Sequence, residues 1–294
     1  MGIKKILVTG ANGQLGWSLS QLAVQYPSFE FIFADKSIFD LSKPAIFESL
    51  LQEIAPHIII NTAAYTAVDK AETEKDLAIL VNTTAVAELA RVAKLHDILL
   101  ITFSTDYVFN GLAKIPYLTE TKREPVNFYG ETKANGEVLA LEINPNILII
   151  RTSWVFSSHG NNFVKTMYRL MKERESLNIV SDQIGRPTYA HDLAKATMQM
   201  IVAIQEGKSL KGIYHYANQG VTSWFEFAQQ IKQNAGLSCE LHSINTKQFP
   251  TPAARPAYSV LDTQKIEQEL GILIPHWEES LLDCQQKLAE QNII

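Results

Sequence analysis

The apolar run Ile6-Leu7-Val8-Thr9 leads straight into Gly10-Ala11-Asn12-Gly13-Gln14-Leu15-Gly16. No other stretch restricts the fold as much. A strand that turns on glycine into a helix brings the helix N-terminus, with its unpaired N–H groups, to the strand's carboxyl end. That arrangement seats a pyrophosphate. The G-x-x-G-x-x-G spacing resembles the dinucleotide-binding fingerprint G-x-G-x-x-G without matching it, so the motif needs support from elsewhere in the chain.

The alternation that follows supplies it. Strand-type runs are expected at residues 3–9, 29–34, 57–62, 98–103 and 147–151, and helical patterns at 14–25, 44–54, 76–96 and 128–141. Short strands separated by helices of this size predict an α/β fold, a doubly wound parallel sheet of Rossmann-like type. Residues 1–155 form the expected dinucleotide-binding domain. Beyond them the pattern loosens, with helices at 162–174, 191–205 and 224–234, a short strand at 212–217 and a proline-punctuated stretch through Pro250, Pro252 and Pro256. Residues 156–294 are therefore expected to be mainly a smaller substrate-binding lobe, with segments free to cross between the two. Ligands of such sheets bind beyond the carboxyl ends of the strands. Here those ends are Gly10–Gly16, Asp35, residues 63–69, 104–107 and 152–156.

One of these ends lies upstream of Tyr129-Gly130-Glu131-Thr132-Lys133, which places a phenol and an ammonium one helical turn apart on one face. Reduction of a carbonyl by a nicotinamide needs such an acid. The spacing alone decides nothing, because Tyr168 and Lys172 repeat it within an ordinary amphipathic helical run. Context selects Tyr129: a Ser104-Thr105 strand end precedes it, and so does a complete nucleotide-binding half.

With 46% hydrophobic and 19% charged residues, the chain has the composition of a soluble globular protein. A formal net charge of −5 with no basic run argues against a nucleic-acid binder. No apolar stretch reaches the length of a membrane span, and the first residues lead directly into a strand with no signal-peptide pattern, so no membrane partner and a cytoplasmic location are expected. Cys239 and Cys284 lack metal-ligand spacing, and a disulfide framework is not expected.

These motifs together resemble the extended short-chain dehydrogenase/reductases and, more narrowly, the dTDP-4-dehydrorhamnose reductases. The resemblance spans most of the chain. It rests on the glycine turn, on Thr66-Ala67-Val68-Asp69-Lys70-Ala71-Glu72 and on Ser104-Thr105-Asp106-Tyr107-Val108-Phe109. It rests further on Tyr129–Lys133, Arg151-Thr152-Ser153-Trp154-Val155, Gly160-Asn161-Asn162-Phe163 and Pro250-Thr251-Pro252-Ala253-Ala254-Arg255-Pro256. The activity implied is NAD(P)H-dependent reduction of the C4 keto group of a nucleotide sugar, dTDP-4-dehydro-L-rhamnose. A regulatory subunit of the same fold, or a reductase or epimerase acting on another nucleotide sugar, are the alternatives. An intact Thr105, Tyr129 and Lys133 argues against a purely binding role. Dehydratases of this type carry Asp-Glu after the threonine, and Asp106-Tyr107 lacks the Glu.

Roles follow position by position. Gly10, Asn12, Gly13, Gln14, Leu15 and Gly16 are candidates for the cofactor pyrophosphate. Asp35, 25 residues after Gly10, suits a ribose hydroxyl, whereas Lys36 suits a 2′-phosphate, so NADPH and NADH both stay open. Asp40 and Leu41 resemble adenine-contacting positions. Ala63, Ala64 and Tyr65 follow the third strand, where small residues let the cofactor approach. By resemblance, Tyr129 protonates the carbonyl oxygen, Lys133 binds the nicotinamide ribose and lowers the phenol's pKa, and Thr105, with Ser104 as rival, stabilises the developing charge. Val68 and Asp69 resemble substrate-proximal positions. Trp154 suits stacking on the sugar, with a core role as the rival reading. Asn162 and Arg255 are candidates for the substrate diphosphate, with Arg186 competing. Some family members form a magnesium-dependent dimer through acidic residues of the first helix and a later segment. Those positions here read Trp17-Ser18 and Tyr189-Ala190-His191-Asp192. No metal is predicted, a homodimer is left open, and Trp17 is a candidate interface residue.

Overall fold

Side-chain alternation along the strands builds two cores, one on each face of a central sheet. The computed structural model describes residues 3–291. Its first half runs β1 (Lys4–Thr9), α1 (Gln14–Leu22), β2 (Phe29–Ala34), α2 (Phe47–Ile54), β3 (Ile58–Asn61), α3 (Lys75–Ile79), α4 (Ala85–Leu95), β4 (Leu99–Thr105), α5 (Phe128–Ile143) and β5 (Leu148–Thr152). Next come β6 (Val155–Phe156), α6 (Phe163–Glu173), β7 (Ser176–Val180), β8 (Ile184–Gly185), β9 (Thr188–Tyr189), α7 (Ala190–Gln205) and β10 (Gly212–His215). The chain finishes with β11 (Thr222–Ser223), α8 (Trp224–Ala235), β12 (Glu240–Ile244), α9 (Gln264–Leu270) and α10 (Trp277–Glu290).

Six parallel strands lie in the order β2-β1-β3-β4-β5-β10. Ile6, Val8, Ile58, Ile60, Leu148 and Ile150 face a layer made by α1 and α7. Leu7, Ile59, Leu100 and Ile149 face the opposite way, onto α2, α4 and the end of α5. This period-2 split is what a sheet buried on both faces requires. The strand order reverses between β1 and β3, which opens a crevice at their carboxyl ends.

Three segments from beyond residue 155 return to this sheet. Helix α7 covers one face beside α1, β10 extends the edge by pairing with β5, and α9 with the turn after it packs Ile266 and Ile274 into the same layer as α7. Other parts of the span have their own core of Phe156, Val164, Met167, Leu177, Ile179, Phe227, Trp277 and Leu281, and their own parallel pair, β7 with β12. The helix expected at 76–96 is two α-helical pieces joined by a π-helical turn, Leu80–Thr84. That turn frees Asn82 to accept from the Tyr65 N–H at 2.9 Å and to donate to the Tyr65 carbonyl at 3.0 Å and to Thr132 Oγ1 at 3.1 Å. Such π-turns commonly occur where a side chain has functional work to do.

Helix α5 is held to the sheet by charge. Glu137 is buried and takes Arg151 Nε at 2.8 Å, Arg151 Nη2 at 2.6 Å and Arg123 Nε at 2.6 Å. Burial alone raises a carboxyl's pKa, but the two guanidiniums more than offset it and hold Glu137 below the ordinary range. Arg151 is fully buried, and its remaining nitrogen donates to the Thr119 carbonyl at 3.1 Å. Removing one member leaves the other charge buried without its partner. Glu137→Gln is therefore expected to lower unfolding stability by about 3–5 kcal/mol. Denaturant titration checks this, and a loss below about 1 kcal/mol would show that the pair does not hold α5 in place.

Candidate active site

The glycine turn takes the shape its residues allow. Gly10 has φ +69°, and a Cβ there would lie 2.7 Å from the Ala63 backbone nitrogen. A Cβ on Gly16 would lie 2.4 Å from the Gly10 carbonyl oxygen. Glycine at these two positions lets β1, α1 and the end of β3 close on one another. The first turn of α1 then presents N–H groups with no intrahelical acceptor to the crevice, where a pyrophosphate fits. A cleft of about 610 Å³ opens there, lined by Gly10, Asn12, Gly13, Gln14 and Leu15. Lys36, Asp40, Leu41, Ala63, Ala64 and Tyr65 continue its wall, and Tyr129 and Lys133 close it.

Asp35 stands at the rim and does not line this cleft. Its carboxylate accepts from the Ser37 N–H at 2.9 Å, the Ser37 hydroxyl at 2.6 Å and Asn12 Nδ2 at 3.3 Å. Ser37 above all holds its pKa below the ordinary value, so it stays charged. Asp40 accepts from the Ser42 N–H at 3.0 Å and the Ser42 hydroxyl at 2.8 Å.

The candidate reaction centre lies at the carboxyl end of β4 and the start of α5. Asn127 caps α5 by accepting from the Gly130 N–H at 2.8 Å, and this cap sets where the helix begins. Tyr129, Lys133 and Glu137 then fall on one buried face at i, i+4 and i+8. The Thr105 hydroxyl donates to Asp106 Oδ1 at 2.9 Å and stands near enough to Tyr129 to favour its phenolate. Burial pushes the Asp106 carboxyl up to about 6, and its second oxygen has no partner among the described residues. Ser104, the rival to Thr105, lines the cofactor cleft instead. Val68 packs against the cluster that holds Tyr129.

One expectation is corrected here. Lys133 does not lower the Tyr129 phenol: burial raises it above its ordinary value, partly opposed by the Thr105 hydroxyl, and Asp106 adds a further push upward. The Lys133 ammonium is directed elsewhere and donates to the Phe103 carbonyl at 2.6 Å. Burial brings its own pKa down to about 8, opposed by Glu137.

Beyond Tyr107, whose ring meets Tyr129 edge-on at 5.7 Å, lies a second cavity of about 670 Å³. Asp69 and Arg255 stand on its wall, joined at 2.9 Å. Arg186 lies outside it and donates to the Leu261 carbonyl at 3.1 Å. Trp154, in a left-handed conformation with φ +47°, stacks on Trp224 with ring centroids 3.6 Å apart. Its other neighbour is Gly185, where a Cβ would come within 2.7 Å of the indole. One face of Trp154 is thus covered, and the indole that lines the cavity is Trp224. Asn162 Nδ2 donates to Ser157 O at 2.7 Å and to Gln14 Oε1 at 3.0 Å, and Asn162 Oδ1 caps α6 through the Lys165 N–H at 3.2 Å. With these atoms engaged, it ties the segment after β6 to the glycine turn and caps α6.

The chain matches the family model described as RmlD substrate binding domain over residues 4–290. It is 41% identical over 287 residues to the dTDP-4-dehydrorhamnose reductase of Aggregatibacter actinomycetemcomitans, covering 94% of this chain and 97% of that one. It belongs to the dTDP-4-dehydrorhamnose reductase family. The crystal structure of the dTDP-4-dehydrorhamnose reductase from Clostridium acetobutylicum aligns with a TM-score of 0.92 at 37% identity, over 97% of this chain and 99% of that one. The one from Bacillus anthracis, in complex with NADP, gives 0.91 at 39% identity, over 98% and 100%.

Within this family fold, sequence reasoning missed part of the second cavity's wall. Arg174, Gln183, Phe163 and Trp224 all line it. A cation ending α6 beside a polar amide carried no motif that separates it from a surface residue. Asp192, in the segment where some family members place metal-binding acids, is held inside the fold by Asn218 Nδ2 at 2.9 Å and by the Ser280 hydroxyl. Among the described residues no group of three His, Cys, Asp or Glu side chains is arranged to hold a metal.

Lys133 gives the site a pH dependence of definite sign. Below about 8 it is an ammonium on the wall of the cleft, and above that value it becomes a neutral amine. NADPH affinity is expected to fall as pH rises through about 8, and Lys133→Met should flatten the profile. Calorimetric titration across that range checks this, and a flat profile in the unmutated protein would contradict it.

Proposed function

We propose that this protein reduces the C4 keto group of dTDP-4-dehydro-L-rhamnose, giving dTDP-L-rhamnose, with NADPH or NADH as reductant. The observation that carries this reading is the placement of Tyr129. It closes the cofactor cleft and meets Tyr107, whose ring lines the second cavity, so the acid stands where a dinucleotide and a sugar nucleotide converge. The names of the relatives support the same substrate.

When bound, the nicotinamide supplies a hydride to the keto carbon. The chain's own residues handle the proton. A phenol is protonated at neutral pH, and burial raises Tyr129 further, so it holds the proton that the carbonyl oxygen receives. Delivering it leaves a buried phenolate. The Lys133 ammonium, one turn along the same helix face, and the Thr105 hydroxyl are the groups that stabilise that charge. In this proposal Lys133 has a different task from tuning the resting acid: it lowers the cost of the ionised tyrosine after transfer.

Asp69 and Arg255 are the candidates for the sugar-nucleotide end, and their mutual ion pair leaves Arg255 poised to exchange a carboxylate for a phosphate. Functionally we divide the chain into a dinucleotide-binding part in residues 1–155 and a mainly substrate-binding part in 156–294. A cytoplasmic setting fits the two free, buried thiols and the fact that no helix of the described residues is long and apolar enough to cross a membrane.

Tyr129→Phe is expected to lower kcat by about 10²–10⁴-fold while NADPH still binds. Tyr168→Phe, the look-alike pair with Lys172, is expected to change kcat by less than about twofold, because Tyr168 lies on α6 outside both cavities that flank the acid. NADPH oxidation with dTDP-4-dehydro-L-rhamnose reads both variants. Equal losses would remove Tyr129 from its assigned role.

A further inference from the structure

The glycine turn is gripped from outside by the segment between β6 and α6. The His159 ring stacks on Trp17 of α1, with centroids 5.1 Å apart and planes 6° from parallel. Its Nε2 lies 3.1 Å from the Asn12 carbonyl oxygen, so the tautomer with a proton on Nε2 donates to it. The segment is rigid at that point: Ser157 Oγ donates to the His159 carbonyl at 2.6 Å and accepts from the His159 N–H at 3.0 Å. Gln14 Nε2 reaches the Val155 carbonyl at 3.4 Å, and Asn162 completes the tie through Gln14 Oε1.

The consequence falls on one peptide unit. The carbonyl between Asn12 and Gly13 is held by His159, and the N–H of the same unit donates to the Gly10 carbonyl at 2.9 Å. A peptide plane fixed at both ends cannot rotate. The next residues, Gln14 and Leu15, open the helix and line the cleft, and the direction of their N–H groups follows from that of the peptide before them. On the other side of the turn, Asn12 Nδ2 reaches Asp35 at the rim.

We propose that His159, stacked on Trp17, is a positioning residue for the dinucleotide: it locks the Asn12–Gly13 peptide so that the first turn of α1 is preset for a pyrophosphate. This rests on the reading of the cleft as a dinucleotide site. It also gives Trp17 an intramolecular task in place of the interface role considered from sequence. The role is distinct from catalysis, because His159 lines neither the cleft nor the second cavity.

The test is calorimetric titration of NADPH into the full chain, with steady-state kinetics alongside. His159→Ala removes both the donor and the ring and is expected to raise the NADPH Kd by about tenfold. At saturating NADPH, kcat and the KM for the sugar nucleotide are expected to stay within about twofold, a split that general loosening of the fold would not produce. His159→Gln, which restores a donor, and His159→Phe, which restores a ring, should each recover part of the loss. An unchanged NADPH Kd in His159→Ala overturns the proposal and leaves the functional reading standing. A parallel loss in kcat and in sugar-nucleotide KM overturns it in favour of a structural role. Failure of the unmutated protein to bind NADPH removes both the proposal and the dinucleotide reading beneath it.

Discussion

The ion pair between Glu137 and Arg151 is the contact on which the site depends. It joins the middle of α5 to β5, and α5 carries Tyr129 and Lys133 on the same buried face. A phenol and an ammonium can be held in an interior only if the helix bearing them has no freedom to slide. Hydrophobic contact alone permits sliding, since it has no direction. A bidentate carboxylate–guanidinium contact does not, and Arg123 adds a second guanidinium to the same carboxylate. Glu137 also bears on the chemistry, because its charge opposes the burial that lowers Lys133. One carboxylate thereby fixes both the position of α5 and the charge on its lysine.

Burial, more than neighbouring charge, sets the resting state of the reaction centre. The phenol is raised, the ammonium is lowered and the adjoining carboxyl of Asp106 is raised, and in each case desolvation is the leading cause. All three shifts favour the neutral form. At neutral pH the phenol keeps its proton while Lys133, at about 8, is mainly an ammonium, so a cation stands one turn from the group that gives up a proton. The expectation from sequence, a phenol made more acidic by its lysine, treated the pair as if solvent and other partners were absent. The Phe103 carbonyl claims the ammonium in the folded protein, and no spacing rule announces a backbone acceptor 30 residues away.

The sheet was legible because its strands are apolar, short and separated by helices. β2 falls at residues 29–34 as read, and β4 runs two residues past the expected end because Ser104 and Thr105 stay paired with β5. Helix α7 and strand β10 read correctly as elements, but their return to the first layer was invisible, since local periodicity carries no information about which layer an element joins. The π-turn at Leu80–Thr84 was hidden for a similar reason: it exists because Asn82 satisfies Tyr65, a contact across the fold. In the candidate site, the residues of the glycine turn and those after β3 line one cleft, and their convergence is legible because a strand end fixes direction. The capping task of Asn162 was not legible because an N-cap and a phosphate ligand use the same polar side chain, and only the hydrogen bonds of the fold show the cap. Trp224, which lines the second cavity, was not legible because its stacking on Trp154 is a tertiary fact.

The most direct test of hydride transfer to the sugar is to follow the hydrogen itself. NADPH deuterated at the nicotinamide C4 position, on the face transferred, is incubated with dTDP-4-dehydro-L-rhamnose and the unmutated protein, and the product is analysed by NMR. Deuterium at C4 of a dTDP-L-rhamnose product, with NADP formed in equal amount, is the predicted result. Recovery of unlabelled sugar, or of label in solvent with the keto group intact, would contradict the assignment of this chain as a reductase.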